Sequence, residues 1–424
     1  MLRKSLAVLC AASVVVLAGC GGGASKPAED KAQGAAPAGK KVTITYWHTY
    51  NTDSNENKTL TEVVIPAFEK KYPDIKVESV VQPVDGLHDS LVTATAGGTT
   101  PDLMRMDIIW TPEFAKMGGL EAVDGMEGFA QLKDQVFPGP MATNTYKGKY
   151  YGLPLDTNTQ IFVYNPDYLK DAGMSAPPKT FEEFKKYTQA IAAKGKKSFA
   201  PQSNNPWATL PLFWSLGGKV TNDDFTKSTG FLNSDDSVAA LQSILDLQKA
   251  GAFAGTHLGE QPGTWEGFKS GDYGAIQDGP WFFAIMGNEL KDKMVGAPVP
   301  AGKGGSISVV GGENIVMFKA SKNKDAAWKF MQFMLSDEAQ TAMAKTGQMP
   351  VTKSASNSPV MKETSYYANY VTQLQTAKPR TPVANWSKIE KVLNDSFEMV
   401  LRGESTPKAA LDNAAKEIDT LLAD

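Results

Sequence analysis

Aromatic side chains lie beside Asp, Asn or Gly at several places where a strand or a loop is predicted to end. Trp47, His48 and Tyr50 close the first predicted strand. Flat aromatic faces bind the C–H surfaces of a sugar ring, and carboxylates and amides exchange hydrogen bonds with its hydroxyls. The combination predicts a binding site for a hydroxyl-rich ligand. The other candidates of this kind are Asp107, Trp110, Asp156, Asn158, Trp207, Asp278 and Trp281.

Motifs for catalysis or metal binding are missing from the sequence. It contains no GxSxG and no HExxH, and His48, His88 and His257 lack the spacing of metal ligands. We therefore expect a binding protein, with no catalytic residue, no metal and no cofactor. Among enzymes, a glycosidase is the alternative, because its two catalytic carboxylates can lie far apart in sequence and meet in the fold. The adjacent tyrosines Tyr366 and Tyr367 are of the kind that ferric-iron binders use, which makes such a binder the other alternative.

Alternating strands and helices are predicted for the segment that follows residue 40. Apolar residues alternate with threonines over 42–46, which predicts a strand, and 75–81 predicts a second one. Between them lies a helical pattern interrupted by Pro66, which should kink or break the helix. A third strand is predicted after Pro101. This β-α-β-α-β order indicates a parallel sheet, and ligands of such sheets bind beyond the carboxyl ends of the strands.

The length and the charge of the chain argue against several classes of protein. Its 424 residues suffice for two or three domains at roughly 100–200 residues each. The 43 Lys and Arg against 46 Asp and Glu give a net charge of −3, which argues against nucleic-acid binding because that function needs a basic surface. Beyond the N-terminus, no apolar run reaches the length of a membrane span.

The N-terminus has the pattern of a lipoprotein signal. Basic residues precede a short apolar stretch, and Leu17–Cys20 resembles a bacterial lipobox, in which the Cys receives a diacylglyceryl group. We expect residues 1–19 to be removed as a signal peptide and Cys20 to become the lipid-bearing N-terminus. Residues 20–40 are rich in Gly, Ala and Pro, which predicts a flexible tether. The folded part then starts near Lys41, at the outer face of the bacterial cytoplasmic membrane.

Short motifs follow one another along nearly the whole chain. They are the lipobox, Tyr46-Trp47, Phe68–Pro73, Thr100–Leu103, Tyr151–Pro154, Tyr164-Asn165, Asp278–Trp281, Gly311–Asn314 and Gly403–Pro407. By these motifs and their order, the sequence resembles the family 1 extracellular solute-binding proteins of sugar ABC importers, relatives of maltose-binding protein. Single motifs are weak evidence, but the ordered set is specific.

The resemblance implies an α/β periplasmic-binding-protein fold, in which two lobes joined by a hinge hold the ligand in a cleft between them. By analogy the chain crosses between the lobes near 154–159, 298–306 and 335–346. The corresponding boundaries are 41–155 with 300–335 for lobe one, and 156–299 with 336–424 for lobe two.

The resemblance also assigns site residues. Trp281 matches the stacking aromatic of the family, and Asn158 falls where maltose-binding protein has a hinge-side carboxylate. Ser203 and Trp207 fall near the contacts that the relative makes from lobe two. Met106 stands where that relative stacks an aromatic residue, a departure that argues against maltose itself as the ligand. The remaining candidate ligand-binding residues are Gly312, Glu313 and Trp386.

The function implied by the resemblance is that of a lipid-anchored substrate-binding protein. It would capture an oligosaccharide between its lobes and deliver it to the permease subunits of an ABC importer in the membrane. We expect it to act as a monomer, to contact the membrane only through its lipid, to bind no nucleic acid and to catalyse no reaction.

Overall fold

The computed structural model describes residues 41–423. The predicted signal peptide, Cys20 as the predicted lipidation site and the predicted tether over 20–40 lie outside these described residues. Within 41–423, no helix combines the length and the apolar character that a membrane span requires.

The strands of the described chain form two main sheets. The strands are β1 (Val42–His48), β2 (Ile75–Val81), β3 (Leu103–Asp107), β4 (Thr145–Tyr146), β5 (Lys149–Tyr150), β6 (Gly152–Thr159), β7 (Ile161–Tyr164), β8 (Ala275–Asp278), β9 (Val295–Ala297), β10 (Val309–Met317) and β11 (Lys378–Pro379). A six-stranded sheet has the order β11-β10-β3-β1-β2, and β6 pairs with the other side of β10. In the second sheet, β7 lies between β8 and β9. β4 and β5 form a separate hairpin.

The first three strands confirm the parallel arrangement expected from the sequence. β1 pairs in parallel with β2 along its whole length, and with β3 at Tyr46 and Trp47. The period-two alternation buries Ile44, Tyr46 and His48 on one side of the sheet. β10 runs antiparallel to both β3 and β6. The end of β3 is therefore flanked by the middle of β10, where polar side chains from distant parts of the chain meet.

Helices cover both sheets. They are α1 (Asn55–Thr59), α2 (Ile65–Lys71), α3 (Leu87–Gly97), α4 (Thr111–Lys116), α5 (Phe129–Gln135), α6 (Pro138–Ala142), α7 (Pro166–Asp171), α8 (Phe181–Ala192), α9 (Pro206–Ser215), α10 (Asp235–Lys249), α11 (Thr264–Ser270), α12 (Pro280–Leu290), α13 (Lys324–Met334), α14 (Asp337–Ala344), α15 (Pro359–Glu363), α16 (Tyr367–Leu374), α17 (Trp386–Leu401) and α18 (Pro407–Ala423). Capping residues fix the position at which several of these helices begin. In α9, for example, the Asn205 side chain accepts a hydrogen bond from the Ala208 N–H at 3.1 Å, and Pro206 occupies the first helical position.

The helical pattern around Pro66 divides as the sequence predicts. Residues Leu60–Val64 form one π-helical turn, and α2 begins at Ile65 with Pro66 in its first turn. Proline has no N–H to donate to the preceding turn. A change in the helical hydrogen-bond pattern therefore costs the least free energy just before Pro66.

Buried apolar side chains support the two sheets separately. Under the six-stranded sheet, the rings of Phe68 and Phe330 pack edge to face with their centroids 5.0 Å apart. Around β7, the rings of Phe162 and Phe199 stack at 4.8 Å. We call the six-stranded sheet with its core lobe one. The three-stranded sheet, with its core and the helices α9, α10, α17 and α18, is lobe two.

The chain passes between the sheets at defined points. Only Gln160 separates the end of β6 from the start of β7. The return lies between Ala297, which ends β9, and Val309, which begins β10. Helix α14 falls in the segment expected for lobe two, yet its Ala339 and Met343 pack into the core of lobe one.

Candidate ligand cleft

A cleft of about 640 Å³ opens where β1, β3, β6 and β10 meet α9, α11 and α12. This volume falls within the range of about 300–1,000 Å³ that is usual for small-molecule sites. Two surfaces of it differ in chemistry. The charged wall consists of Tyr50, Glu56, Arg105, Asp107 and Glu313, and the aromatic wall consists of Trp207, Trp265, Trp281 and Ile285.

Arg105 is the centre of the charged wall. Its guanidinium lies 2.6 Å from the Glu313 carboxylate and 3.5 Å from that of Asp156, and it donates a hydrogen bond to Thr49 Oγ1 at 3.0 Å. The same guanidinium stacks over the Tyr50 ring, 4.3 Å from its centroid. Because its side chain is only 7% exposed, these partners replace most of its water.

The register of three strands brings this cluster together. Asp107 on β3 stands opposite Glu313 on β10, and Glu313 stands opposite Asp156 on β6. A register shift follows between Glu313 and Asn314. Gly312, with φ of 126°, is needed at this irregularity because a Cβ there would collide with the backbone of Asp156 and Thr157.

Burial and neighbouring charges alter the acidity of the cluster. Burial raises the pKa of the Glu313 carboxyl well above its usual range, and Arg105 opposes this shift. Burial disfavours the charge of Arg105, but Glu313 leads the neighbours that raise the pKa of this guanidinium. Arg105 therefore stays charged and depends on the carboxylates around it.

The aromatic wall is built from helix starts in lobe two. Trp207 lies in the first turn of α9, and Trp281 lies in the first turn of α12. Their rings are nearly parallel, with an interplanar angle of 23° and centroids 6.4 Å apart. All three tryptophans of this wall are partly exposed. Their exposed indole surface borders the cleft and can stack on the apolar face of a ring.

Asp278 supports the aromatic wall from behind. Its carboxylate accepts hydrogen bonds from Trp265 Nε1 at 2.5 Å and from the Gly279 N–H at 2.7 Å. It is fully buried, and burial raises its pKa to about 7. Gly279 is required here because a Cβ would collide with the ring of Trp281. Asp278 thus orients the tryptophans without itself lining the cleft.

One cation connects the two walls. Arg380, which follows β11, donates a hydrogen bond to the Asp107 carboxylate at 3.1 Å. Its guanidinium also lies over the ring of Trp207, 5.3 Å from the centroid. Arg380 is 6% exposed and therefore held in place, and through these two contacts it positions Asp107 of the charged wall and Trp207 of the aromatic wall.

The structure brings many of the sequence-predicted residues together. The predicted residues that line the cleft are Tyr50, Asp107, Trp110, Asn158, Trp207, Trp281, Gly312 and Glu313. Asn158 is 6% exposed, and its Oδ1 lacks a hydrogen-bond partner among the described residues. Asp156 lies just behind this set, 4% exposed and in contact with Arg105.

Other predicted residues lie away from the cleft lining. His48 is fully buried, and its Nε2 lies 2.7 Å from Ser79 Oγ. Burial, with a smaller contribution from Arg105, lowers the pKa of His48 to about 4. Trp386, the first residue of α17, is 1% exposed within the core of lobe two.

Trp47 and Ser203 occupy intermediate positions. Trp47 points to the opposite side of β1 from Tyr46 and packs against the apolar cluster around Leu91 and Phe114. Ser203 precedes α9, and its Oγ accepts a hydrogen bond from the Asn205 N–H at 3.3 Å. Ser203 therefore helps to shape the loop that carries Trp207.

Sequence reasoning missed several residues that line the cleft. Arg105 had a usable signal, because it is the only cation in the otherwise apolar start of β3. Trp265 offers only its residue type as a signal, and a tryptophan suits a core and a site equally. The residues without a local signal are Thr49, Asn51, Glu56, Gln348, Arg380 and Glu390.

The tyrosine pair that suggested iron binding is engaged in packing. The Tyr367 hydroxyl donates a hydrogen bond to the Ala344 carbonyl at 2.6 Å. The Tyr366 ring stacks on Phe283, with centroids 5.2 Å apart. In the described part of the chain, no group of three or more His, Cys, Asp or Glu side chains is arranged to hold a metal ion.

Comparisons with known proteins agree with this geometry. Residues 64–369 match the model of the family described as bacterial extracellular solute-binding protein. The arabinooligosaccharide-binding protein of Bacillus subtilis is 26% identical, over 95% of this chain and 96% of its own. Two solved structures are also similar. The GacH receptor of Streptomyces glaucescens, solved unliganded and with acarbose, is 26% identical with a TM-score of 0.82, covering 91% of this chain and 99% of its own.

The second structure is that of maltose-bound MalE3 from T. maritima. It is 27% identical with a TM-score of 0.80, and the match covers 90% of this chain and 100% of that one. The fold class expected from the sequence, two α/β lobes with a cleft between them, is thereby confirmed.

Proposed function

Because the chain belongs to the family of bacterial extracellular solute-binding proteins, we propose that it captures an oligosaccharide for import by an ABC transporter. The observation that carries this proposal is the pairing of two unlike surfaces across one cleft. Stacked tryptophans, Trp207 and Trp281, border it from lobe two, and the hydrogen-bonding cluster around Arg105 borders it from lobe one.

This pairing suits the two kinds of surface that a sugar ring presents. The C–H groups of a pyranose form a flat apolar face that stacks on indole, and its hydroxyls point outward around the ring. Carboxylates such as Asp107 and Glu313 accept hydrogen bonds from hydroxyls, and the Asn158 amide can donate and accept. The volume of about 640 Å³ suits an oligosaccharide of a few residues.

The ligands of relatives support a saccharide. The Bacillus relative is named for arabinooligosaccharides, and a further relative in Streptomyces coelicolor, 25% identical, is named for diacetylchitobiose. The two solved structures contain acarbose and maltose. Since these ligands differ in ring and linkage, they support the class of ligand rather than one sugar.

The proposed mechanism is a clamp with two states. In the open state the cleft admits the sugar, and closure about the chain crossings at Gln160 and 298–308 brings both walls onto it. Lobe one would comprise 41–155 and 300–335 together with α14, and lobe two the remainder. The permease would favour the closed state, which requires that the sugar bind this state more tightly than the open one.

The location we propose follows from the N-terminal sequence. After cleavage before Cys20, the lipid on that residue would anchor the protein at the outer face of the cytoplasmic membrane, with 20–40 as the tether and the membrane permease within reach. We propose that the protein acts as a monomer and without catalysis.

Calorimetry with a panel of saccharides tests the proposal. Maltotriose, cellobiose, xylotriose, galactotriose, arabinotriose and diacetylchitobiose cover the common rings and linkages. We expect saturable binding of at least one of them with one site per chain. Chromatography of each mixture after overnight incubation tests the glycosidase alternative. Binding without products supports a binding protein, product release would establish an enzyme instead, and the absence of any binding would overturn the proposal.

A further inference from the structure

The acidic side chains of the cleft outnumber its basic ones. The charged residues that line it are Glu56, Asp107, Glu313 and Glu390 on the acidic side and Arg105 and Arg380 on the basic side. Both guanidiniums already have carboxylate partners, Arg105 with Glu313 at 2.6 Å and Arg380 with Asp107 at 3.1 Å. The other two carboxylates carry the excess negative charge.

Glu56 is the more buried of these two carboxylates. It lies in α1, where the Ser54 hydroxyl caps the helix by accepting a hydrogen bond from the Asn57 N–H at 3.2 Å. The residue is 6% exposed, and what exposure it has faces the cleft that it lines. Among residues 41–423, no hydrogen bond or ion pair involves its carboxylate. A buried carboxylate without a partner is costly, so a group that enters the cleft would gain by pairing with it.

Neither Tyr367 nor Lys58, both close to Glu56, forms a hydrogen bond or ion pair with its carboxylate in the described structure. Tyr367 in α16 is close enough to be influenced by this charge: burial raises the pKa of Tyr367, and the negative charge of Glu56 adds to the rise. The Tyr367 hydroxyl, however, donates to the Ala344 carbonyl and not to Glu56. Lys58 belongs to the same short helix but is exposed.

Glu390 brings a second unpaired carboxylate from lobe two. It lies one turn into α17 and is partly buried, and among the described residues it has no hydrogen bond or ion pair. Burial raises the pKa of Glu390, and Arg380 opposes this rise. A cation in the cleft would therefore meet carboxylates of both lobes, whereas an anion would find both guanidiniums occupied.

We propose that the cleft selects saccharides that carry a protonated amine over neutral ones and excludes those that carry a phosphate, with Glu56 accepting the ammonium group. This inference rests on the proposed saccharide binding and narrows its ligand class. An ammonium donates three hydrogen bonds and cancels one negative charge, while a hydroxyl at the same place donates one and cancels none. A phosphate would add charge of the same sign as the excess.

Three disaccharides with the same β-1,4-linked frame test this selection by calorimetry at pH 6. Chitobiose carries an amine on each ring, cellobiose has hydroxyls there, and cellobiose 6-phosphate adds an anion. We expect chitobiose to bind at least tenfold more tightly than cellobiose, and the phosphate to bind at least tenfold more weakly. If neutral saccharides bind and chitobiose does not surpass cellobiose by that factor, this inference is wrong and the proposed function stands. If no saccharide binds at all, both are wrong.

The variant Glu56→Gln assigns the selection to one residue. We expect it to reduce the preference for chitobiose over cellobiose, measured as the ratio of the two dissociation constants, at least tenfold. Asp236→Asn is the matched control, because Asp236 is half-exposed, pairs with Lys303 and lies outside the cleft; neither affinity should change. Equal losses for both sugars in Glu56→Gln would overturn the role of its charge. If melting shows that this variant does not fold, Glu390→Gln gives the same test, with an expected threefold reduction of the same ratio.

Discussion

The charged wall and the aromatic wall of the cleft are held in place by different forces. On the charged wall, Arg105 is 7% exposed and its guanidinium contacts Glu313, Asp156 and Thr49 before any ligand arrives. On the aromatic wall, Trp207 and Trp281 are partly exposed and rest on one another and on helix starts. The Arg105 cluster is held by contacts among its own members, whereas the aromatic wall leaves indole surface in contact with solvent.

Stability and binding are accordingly divided between the two walls. The buried charge of Arg105 has its partners in the empty protein, so a change at Arg105 acts on folding first. Exposed indole surface gains most when a ligand covers it, so a change in the aromatic wall acts on binding first. Variants in the two walls should therefore separate the two properties.

The largest effect is expected for Arg105→Met in the charged wall. This variant leaves the carboxylates of Glu313 and Asp156 without their cation in a buried place, and should lower the free energy of unfolding by about 3–5 kcal/mol. Urea unfolding followed by circular dichroism measures it. Lys391→Met is the control, because Lys391 forms an exposed ion pair with Asp395 and should leave stability unchanged. Equal stabilities for Arg105→Met and the wild type would show that the charged wall does not support the fold.

A pH-dependent effect is expected behind the aromatic wall, at Asp278. Its pKa is raised by burial from 3.8 to about 7, so the folded state favours the protonated carboxyl. The resulting stabilisation is fully present below about pH 4 and is lost as the pH rises through 7. Asp278→Asn does not titrate, and its stability relative to the wild type should increase by on the order of 4 kcal/mol between pH 4 and pH 8. Urea unfolding of both proteins at pH 4 and pH 8 measures this. The same difference in unfolding free energy between variant and wild type at the two pH values would contradict the prediction.

A binding effect without a large stability effect is expected for Trp281→Ala. Loss of the stacking surface should weaken the tightest-binding saccharide of the panel at least tenfold, or about 1.4 kcal/mol, while the melting temperature changes by a few degrees at most. Trp328→Ala provides the contrast. Trp328 is 7% exposed in the core of lobe one, and its removal should cost about 3–5 kcal/mol of stability. If Trp281→Ala unfolds the protein and leaves the affinity intact, the distinction between the walls is wrong.

The smallest effect is expected where the lobes touch beside the cleft, at His88. Its Nε2 lies 3.0 Å from the Glu113 carboxylate of lobe one, which also accepts a hydrogen bond from Ser387 of lobe two at 2.6 Å. The hydrogen bond to Glu113 raises the pKa of His88 above 6.5, although burial opposes the rise.

The sign of this effect follows from the raised pKa. The contribution of His88 is present below pH 6.5 and is lost as the pH rises through the folded-state value. Between pH 6 and pH 8 the wild type should lose less than about 1 kcal/mol relative to His88→Gln, because the pair is partly exposed, at 24% and 21%, and therefore screened. Melting curves at both pH values measure it, and a wild type that gains stability over this range would contradict the assignment.

Much of the fold could be predicted from local patterns. The alternation over 42–46 predicted β1, and the parallel pairing of β1 with β2 and β3 is confirmed. Pro66 was expected to interrupt a helix, and the helix changes from a π-turn to α2 at that point. These features depend on residues a few positions apart, which is the range over which periodicity and proline act.

The site could be predicted in part, and the particular residues show why. Trp281 follows Gly279 and Pro280 at a helix start, a local arrangement that places its ring beside the cleft. Trp386 also starts a helix, yet its ring is buried in the core of lobe two, a difference that no local pattern distinguishes. Arg380 and Glu390 reach the cleft only because the segment before α17 returns to β10 and lies beside β3.

The alternation of strands and helices, the positions of several helix starts and the family membership of the chain follow from the amino-acid sequence. Each of these is encoded by short sequence motifs, or by apolar residues that recur with a period of two or about 3.6 residues. The tertiary structure alone decided which side chains meet. Asp107, Asp156 and Glu313 form one cluster because β10 pairs with β3 and β6 in a particular register. A shift of one residue would turn each of these side chains to the other face, and the register is selected by the packing of the whole sheet.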